Sequence, residues 1–448
     1  MRMPRPRPPC SALATASLAI GLLATVLPGL ASAQSLLSLY EAARSYDATY
    51  LAARAQAESV QYRAAQTDAL GRPTVALTAA GSLNRTDPPE TAATSLDSVQ
   101  ASLRGSYPLF NRPNGLSIAQ ARKSLEAAQA QLEGAEQDLI VRLAQAYFDV
   151  LAAQDALETA RASKTAIAEQ LASAKRNFEV GTATITDARE AQAFFDLATA
   201  QEIAADNNLR ARRIALDQLV GRTDVQPRPL LVPVVLPRTV PANPEEWVTL
   251  ADTQHPSVRQ ARVGLEVAQL ETGKARASEL PTVDATASVG PSYAGGSGAF
   301  PRTGTSTNAS IGVQMNWPLY TGGATQNRIK ETLSLEERSR NELEAARRGV
   351  AQATRVAWFT VESLQAQVKA LEAAEGSSKL ALEATQLGYR VGVRVNLDVL
   401  NAQTQLFTTQ RDLARARYDV LIGGLVLRQA AGQLGPTHVQ ALDTLLAR

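Results

Sequence analysis

Imidazole and thiol are scarce in this sequence: two histidines, His255 and His438, and a single cysteine, Cys10. A zinc site gathers its ligands at short, regular spacings, and neither histidine has a ligand-spaced partner, so both are expected to serve surface or packing roles. The run Gly295-Gly296-Ser297-Gly298 falls between two strand-like segments and reads as a flexible extracellular loop rather than a phosphate cradle. No catalytic residue, cofactor or metal ligand is expected. The function has to lie in the elements themselves.

Composition narrows those elements. The chain is 45% hydrophobic and 20% charged, as a folded protein should be, yet only 5% aromatic. Its apolar content is mostly Ala, Leu and Val, which suits helices packed closely side by side better than one thick core. Residues 1–33 read as a secretory signal peptide: Arg2, Arg5 and Arg7, an apolar run from Ser11 to Leu30, and the small-residue site Ala31-Ser32-Ala33. Pro28 and Gly29 interrupt the run and argue against a membrane anchor, and Cys10 lies before it, where lipid attachment is excluded. Without those three arginines 42 basic residues face 43 acidic ones, a near-neutral balance that argues against nucleic-acid binding. From Gln34 onward no stretch approaches the roughly 20 apolar residues of a membrane helix, so contact with a membrane would have to be made by strands.

The chain is one unit written twice. Arg72-Pro73-Thr74-Val75 recurs as Leu280-Pro281-Thr282-Val283, and Tyr107-Pro108-Leu109-Phe110 as Trp317-Pro318-Leu319-Tyr320. Ala146-Tyr147-Phe148 matches Ala357-Trp358-Phe359, and Phe178-Glu179-Val180-Gly181 matches Tyr389-Arg390-Val391-Gly392. The expected organisation is a first repeat over 34–221, a Pro-rich linker over 222–246, a second repeat over 247–432 and a tail over 433–448. Each repeat opens with a helix of about 34 residues, Leu36 to Leu70 or Glu245 to Leu280. Two strands follow, over about 73–85 and 96–110 or about 281–293 and 305–319. A very long helix then runs from Gly115 or Ala324 to a tip at 179–184 or 390–395, and a shorter helix returns to Gly221 or Gly432.

The strands alternate with period two. Val75, Leu77, Ala79 and Leu83 stand against Thr74, Ala76, Thr78 and Ser82, and Ile311, Val313 and Met315 against Ser310, Gly312 and Gln314. A barrel wall needs this pattern, apolar toward lipid and polar toward a lumen, and Tyr107, Phe110, Trp317 and Tyr320 fall at strand ends where an aromatic girdle would sit. An amphipathic sheet in a soluble protein is the alternative, but nothing else in the chain offers it a partner core. Four strands cannot close, and an open edge in lipid leaves backbone groups unsatisfied, so several chains are required. Two copies give eight strands and three give twelve, and strand arithmetic does not choose between them. A helix of about 65 residues would reach on the order of 100 Å, well beyond any bilayer.

With this order of parts, the chain resembles the TolC family of outer-membrane efflux proteins from about Gln34 to Gln433, and Tyr320-Thr321-Gly322-Gly323-Ala324 is especially similar to its type I secretion branch. The resemblance implies a homotrimer with a twelve-stranded barrel in outer-membrane lipid and a periplasmic tunnel of antiparallel coiled-coil helices. It implies that the tips Val180-Gly181-Thr182 and Val391-Gly392-Val393 meet a periplasmic adaptor, beyond which stands an inner-membrane ABC or RND transporter. It places Thr186, Asp187, Tyr389 and Arg394 at a periplasmic gate, with an Arg394–Asp187 pair tying adjacent coiled coils. Helix capping is the competing role for Asp187, because Thr184 and Asp187 have capping-box spacing. Asp398 would stand in an entrance ring, where Asn401 replaces a second acid usual in the family. The function implied is a passive exit duct for type I protein secretion, with multidrug efflux through the same kind of channel as the alternative. A periplasmic coiled-coil scaffold would explain the helices but not the four barrel-patterned segments.

Overall fold

A computed structural model describes residues 34–447 apart from 88, 90–92, 232, 235 and 298–302. The expected signal peptide, Cys10 within it, and Gly298 lie outside the described residues. The chain runs through α1 (Leu36–Tyr46), α2 (Ala48–Asp68), β1 (Thr74–Thr86), β2 (Thr94–Phe110), α3 (Arg112–Glu179) and α4 (Ile185–Val220). The second half follows with α5 (Pro244–Gln254), α6 (Pro256–Ala277), β3 (Thr282–Ser297), β4 (Gly304–Asn316), α7 (Ala324–Arg390), α8 (Asn396–Ala430) and α9 (Pro436–Asp443). None of the described helices is long and apolar enough to cross a membrane.

Each repeat opens with two helices where the sequence suggests one, and both breaks fall at matching positions. Asp47 leaves the helical region and its carboxylate accepts a hydrogen bond from the Tyr50 N–H at 2.8 Å, capping α2. The same carboxylate receives both Nη atoms of Arg142 on α3 at 3.0 Å, a bidentate pair in which Asp47 is buried. In the second half His255 takes the place of Asp47. Its Nδ1 accepts from the Ser257 N–H at 3.1 Å, and Pro256, which has no N–H to offer, starts α6. His438 caps α9 from inside the helix, its Nδ1 accepting from the N–H of the cap residue Gly435 at 3.2 Å.

α3 and α7, of 68 and 67 residues, each reach about 100 Å. On the tip side α3 packs between α4 and α8, and α7 packs on the far side of α8, so the order across the wall is α4-α3-α8-α7. On the sheet side the order is α2-α3-α6-α7. Alanines let these backbones close in: Ala174 of α3 and Ala191 and Ala198 of α4 share one buried cluster with Ile167, Leu171 and Leu400. Midway along the wall a larger core gathers Leu36, Leu39 and Tyr40 of α1, Tyr147 and Phe148 of α3, Leu216 of α4, Tyr418 of α8 and Val439 of α9. The linker is strapped to this level, since the Tyr147 hydroxyl accepts from the Arg228 N–H at 2.8 Å and Leu230 bridges to Leu446. Asp149 braces three helices here, receiving Arg212 of α4 at 3.1 Å and Arg415 of α8 at 2.8 Å.

The four strands form one antiparallel sheet in the order β1-β2-β3-β4. Its register puts even-numbered residues on one face, where hydroxyls pair across strands: Thr74 with Ser106 at 2.9 Å, Ser82 with Ser98 at 2.7 Å, Ser288 with Ser310 at 2.8 Å and Ser292 with Ser306 at 2.9 Å. The opposite face carries Leu77 across from Leu103, Leu103 across from Val289, and Ala287 across from Ile311, which is 89% exposed. Two strand bounds differ from the sequence reading. β3 continues through Gly295, Gly296 and Ser297, which pair with Asp97, Leu96 and Ser95, so these residues are strand rather than loop. Glycine permits this close pairing, since a Cβ at Gly296 would stand 2.3 Å from the Ser95 carbonyl oxygen. β4 stops at Asn316, before Trp317 and Pro318, opposite Thr282 where its one partner β3 begins.

Asp47 supplies a prediction. Its hydrogen bond from Arg142 holds its pKa below the usual 3.8, so the pair contributes stability that is present above that pH and lost as pH falls through the lower folded value. Asp47→Asn keeps the helix cap and removes the ion pair, and should cost about 1–2 kcal/mol at neutral pH. Thermal unfolding in neutral detergent should show a lower midpoint for the variant at pH 7 and a shrinking difference below about pH 4.

Candidate functional site at the hairpin tips

Both helical hairpins reverse at a glycine with positive φ, Gly181 at 79° and Gly392 at 81°, a conformation that other residues adopt only with strain. The turns are built alike. Thr182 and Ala183 donate backbone N–H groups to the Asn177 carbonyl at 2.8 and 3.2 Å, while Val393 and Arg394 donate theirs to the Gly388 carbonyl at 2.9 and 3.2 Å. The side chains between these bonds face outward, with Val180, Val391 and Val393 all exposed. Each tip is thus a rigid backbone knuckle presenting valines to solvent.

The helices leaving the tips start differently. Thr184 and Asp187 form a full capping box, the Thr184 hydroxyl accepting from the Asp187 N–H at 3.2 Å and the Asp187 carboxylate accepting from the Thr184 N–H at 2.9 Å. Thr186 is exposed beside it. In the other hairpin the cap position is Val395, which has no side-chain oxygen, so only the Asp398 half of the box forms, a long contact of 3.5 Å from the Val395 N–H. Asp398 stands in the first turn of α8, where the helix dipole favours a carboxylate, and faces Arg394 at 3.6 Å. Asn401 is exposed one turn farther along.

Within the protomer, therefore, the expected Arg394–Asp187 pair is not what these residues make. Asp187 is taken up by its cap, and Arg394 turns to Asp398. The two hairpins are instead stitched by amides. Asn177 Nδ2 donates to the Tyr389 hydroxyl at 3.3 Å, Asn396 Nδ2 donates to the Asp187 carbonyl at 3.3 Å, and Gln170 Nε2 donates to Asn396 Oδ1. Asn396 is 1% exposed, and a buried amide is stable only when its partners are in place. Sequence reasoning named Tyr389 and missed Asn177, Gln170 and Asn396. The signal lay in the duplication: Asn396 occupies the position of Ile185 in the first copy, and a polar residue replacing an apolar one at a packed helix start needs a partner.

A half-open sheet with one apolar and one hydroxyl-lined face, fused to helices far longer than a bilayer is thick, defines the protomer of an outer-membrane channel with a periplasmic helical part. The model of the family described as outer membrane efflux protein matches residues 39–222 and 247–433, and the chain belongs to that family. It is 33% identical over 414 residues to the outer membrane protein TolC of Vibrio cholerae, covering 92% of this chain and 93% of that one. It is also 33% identical over 345 residues to the alkaline protease secretion protein AprF of Pseudomonas aeruginosa, covering 75% and 68%. The crystal structure of the outer membrane protein VceC from Vibrio cholerae superposes with a TM-score of 0.73 at 21% identity, over 89% of this chain and 96% of that one. The TolC-like fold implied by the resemblance is the fold observed.

The capping box also sets a local stability. Thr184→Ala should loosen the start of α4 by about 1 kcal/mol, raising amide hydrogen exchange over residues 185–188 about five-fold. The same measurement on Thr186→Ala, which removes no cap bond, should match the parent protein.

Proposed function

We propose that three copies of this chain close into a passive duct for type I protein secretion, engaged at its tips by a periplasmic adaptor and driven by an inner-membrane ABC transporter. The observation that carries this reading is that the protomer is open at the same two edges along its whole length. β1 and β4 are sheet edges, α7 is one helix edge throughout, and α2 followed by α4 is the other. Each helix edge carries a second apolar seam with alternating three- and four-residue steps that nothing in the protomer covers. On α4 it runs through Ala193, Leu197, Ala200, Ala204, Ala211 and Ile214, interrupted once by the polar Asn207, all exposed. On α7 it includes Val356, Phe359, Ala366, Ala370, Ala373, Leu380, Ala384 and Leu387, all exposed.

Unlike edges on one chain call for a head-to-tail ring, with β4 meeting the next copy's β1 and α7 meeting its α2 and α4. Helices spaced about 9–10 Å apart give a lumen roughly 25 Å across for a ring of twelve and roughly 14 Å for a ring of eight. The larger ring passes a polypeptide with helical segments about 10–12 Å thick and room for water around them, which favours three copies. The similarity to AprF, named for protease secretion, supports polypeptide cargo. Val180, Gly181, Thr182, Val391, Gly392 and Val393 form the rigid, outward-facing surface on which the adaptor would seat. Thr186, Asp187, Tyr389 and Arg394 hold the narrow end shut in this reading, and Asp398 contributes a carboxylate ring just inside it, with Asn401 leaving the ring single. No step in this function breaks a covalent bond in the cargo.

Planar-bilayer recording tests the reading. Tyr389→Phe removes the acceptor of the Asn177 bond and Arg394→Ser the cation beside Asp398, each an interaction of about 0–1 kcal/mol, so the effect requires their repetition around the ring. Single-channel conductance should rise severalfold in the double variant. A trivalent cation on the periplasmic side should block the parent channel and not Asp398→Ala. Unchanged conductance and equal block in correctly assembled protein would return these residues to a purely local structural role.

A further inference from the structure

Between the linker and α5, α7, α8 and α9 lies a part-open cavity of about 160 Å³ that the duct function does not use. We propose that this cavity is a binding site for a small organic carboxylate with an aromatic or short acyl body, its carboxylate held by Arg428 and His438 and its body against Trp247, Val361 and Leu442.

The charge of the cavity is one-sided. Arg428 and His438 line it, Arg238 of the linker lines it as well, and no Asp or Glu does. The one hydrogen bond of the Arg428 side chain among the described residues runs from Nη1 to the Gly424 carbonyl, one turn back in its own helix, at 3.1 Å. Arg428 is half-buried, and a guanidinium partly withdrawn from water ordinarily gains a carboxylate partner, because the Coulomb gain offsets its lost hydration. Here burial alone acts on Arg428 and pushes its pKa down. His438 accepts at Nδ1 from the Gly435 N–H, so the neutral ring carries its proton on Nε2, a second donor. Burial and the neighbouring Arg428 both pull the His438 pKa down. One cation and one neutral imidazole N–H donor thus lie together with no carboxylate lining the cavity, and an anion supplied from outside would complete the site.

The rest of the lining sets the class of ligand. Trp247 has already satisfied its indole N–H on the Pro241 carbonyl at 2.8 Å, so only its apolar surface is left to meet a guest. Val361 and Leu442 add aliphatic wall. A cavity of this size matches the volume of about 150 Å³ known to admit a benzene-sized molecule, which limits the body to about one ring or a short chain. An inorganic anion would leave the apolar wall empty, and a neutral ring would leave Arg428 unpaired.

The test is calorimetric titration of sodium benzoate into the protein purified in neutral detergent, with chloride at matched ionic strength. Saturable binding with a dissociation constant below about 1 mM is expected, benzamide binding at least ten-fold more weakly. Arg428→Gln should lower benzoate affinity at least ten-fold, while its unliganded melting temperature stays equal or rises slightly because a partly desolvated, unpaired charge is gone. Arg238→Gln, at an exposed position, should weaken binding only about two- to three-fold. The proposal is overturned by an absence of saturable heat up to about 20 mM benzoate, by equal affinity for benzoate and benzamide, or by a folded Arg428→Gln variant that binds as the parent does.

Discussion

A strand edge in lipid has nowhere to place its hydrogen bonds, and most of this architecture follows from that one constraint. Each unpaired N–H and C=O in a hydrocarbon layer costs several kcal/mol, so only a closed barrel tolerates strands there. The sheet of this chain has four strands and two free edges, β1 and β4, with bulky apolar side chains on one face and paired hydroxyls on the other. It therefore cannot be at rest in a membrane as a single copy. Whatever closes the sheet must also bring the helical edges together, because α7 lies at the same edge of the wall as β4 and α2 and α4 lie at the edge of β1.

Inside the protomer, polar braces fix how the helices lie before any partner arrives. Asp47–Arg142 joins the first break to α3, Asp149 joins α3 to both α4 and α8, and the amides of Gln170, Asn177 and Asn396 join the two tips. Between these points the contact is mostly alanine on alanine or alanine on leucine, which lets backbones approach but specifies register weakly.

Much of this was legible in the sequence because duplication repeats every signal twice. The period-two strands, the long helices and the glycine tips stood out for that reason, and the offset between copies located their partners. What escaped was chemistry that one residue performs locally. Asp47 and His255 look like ordinary members of a helix until their side chains are seen accepting from the N–H two or three residues on, and the continuous helix expected at each position is broken there. Gly295 and Gly296 look like loop, yet they are strand because the partner backbone approaches too closely for a Cβ at Gly296. At the tips Tyr389 was recognisable by resemblance, whereas its donor Asn177 lies 212 residues away, and pairings at that separation are set by tertiary packing rather than by any pattern along the chain.

The central claim, closure of unlike edges around a ring of three, can be tested by covalent capture. Ala200 on α4 and Ala373 on α7 lie equally far in sequence from the tip glycines Gly181 and Gly392, as Ala204 and Ala370 very nearly do. In one protomer α3 and α8 stand between the two helices, so a disulfide there can form only between copies. Cys10 is the sole native cysteine, so Ala200→Cys with Ala373→Cys, and Ala204→Cys with Ala370→Cys, introduce the only thiols beyond residue 33. After oxidation in outer membranes, denaturing electrophoresis should show a ladder that ends at a covalent trimer. A ladder that ends at a dimer, or monomer alone in both pairs, would contradict the account.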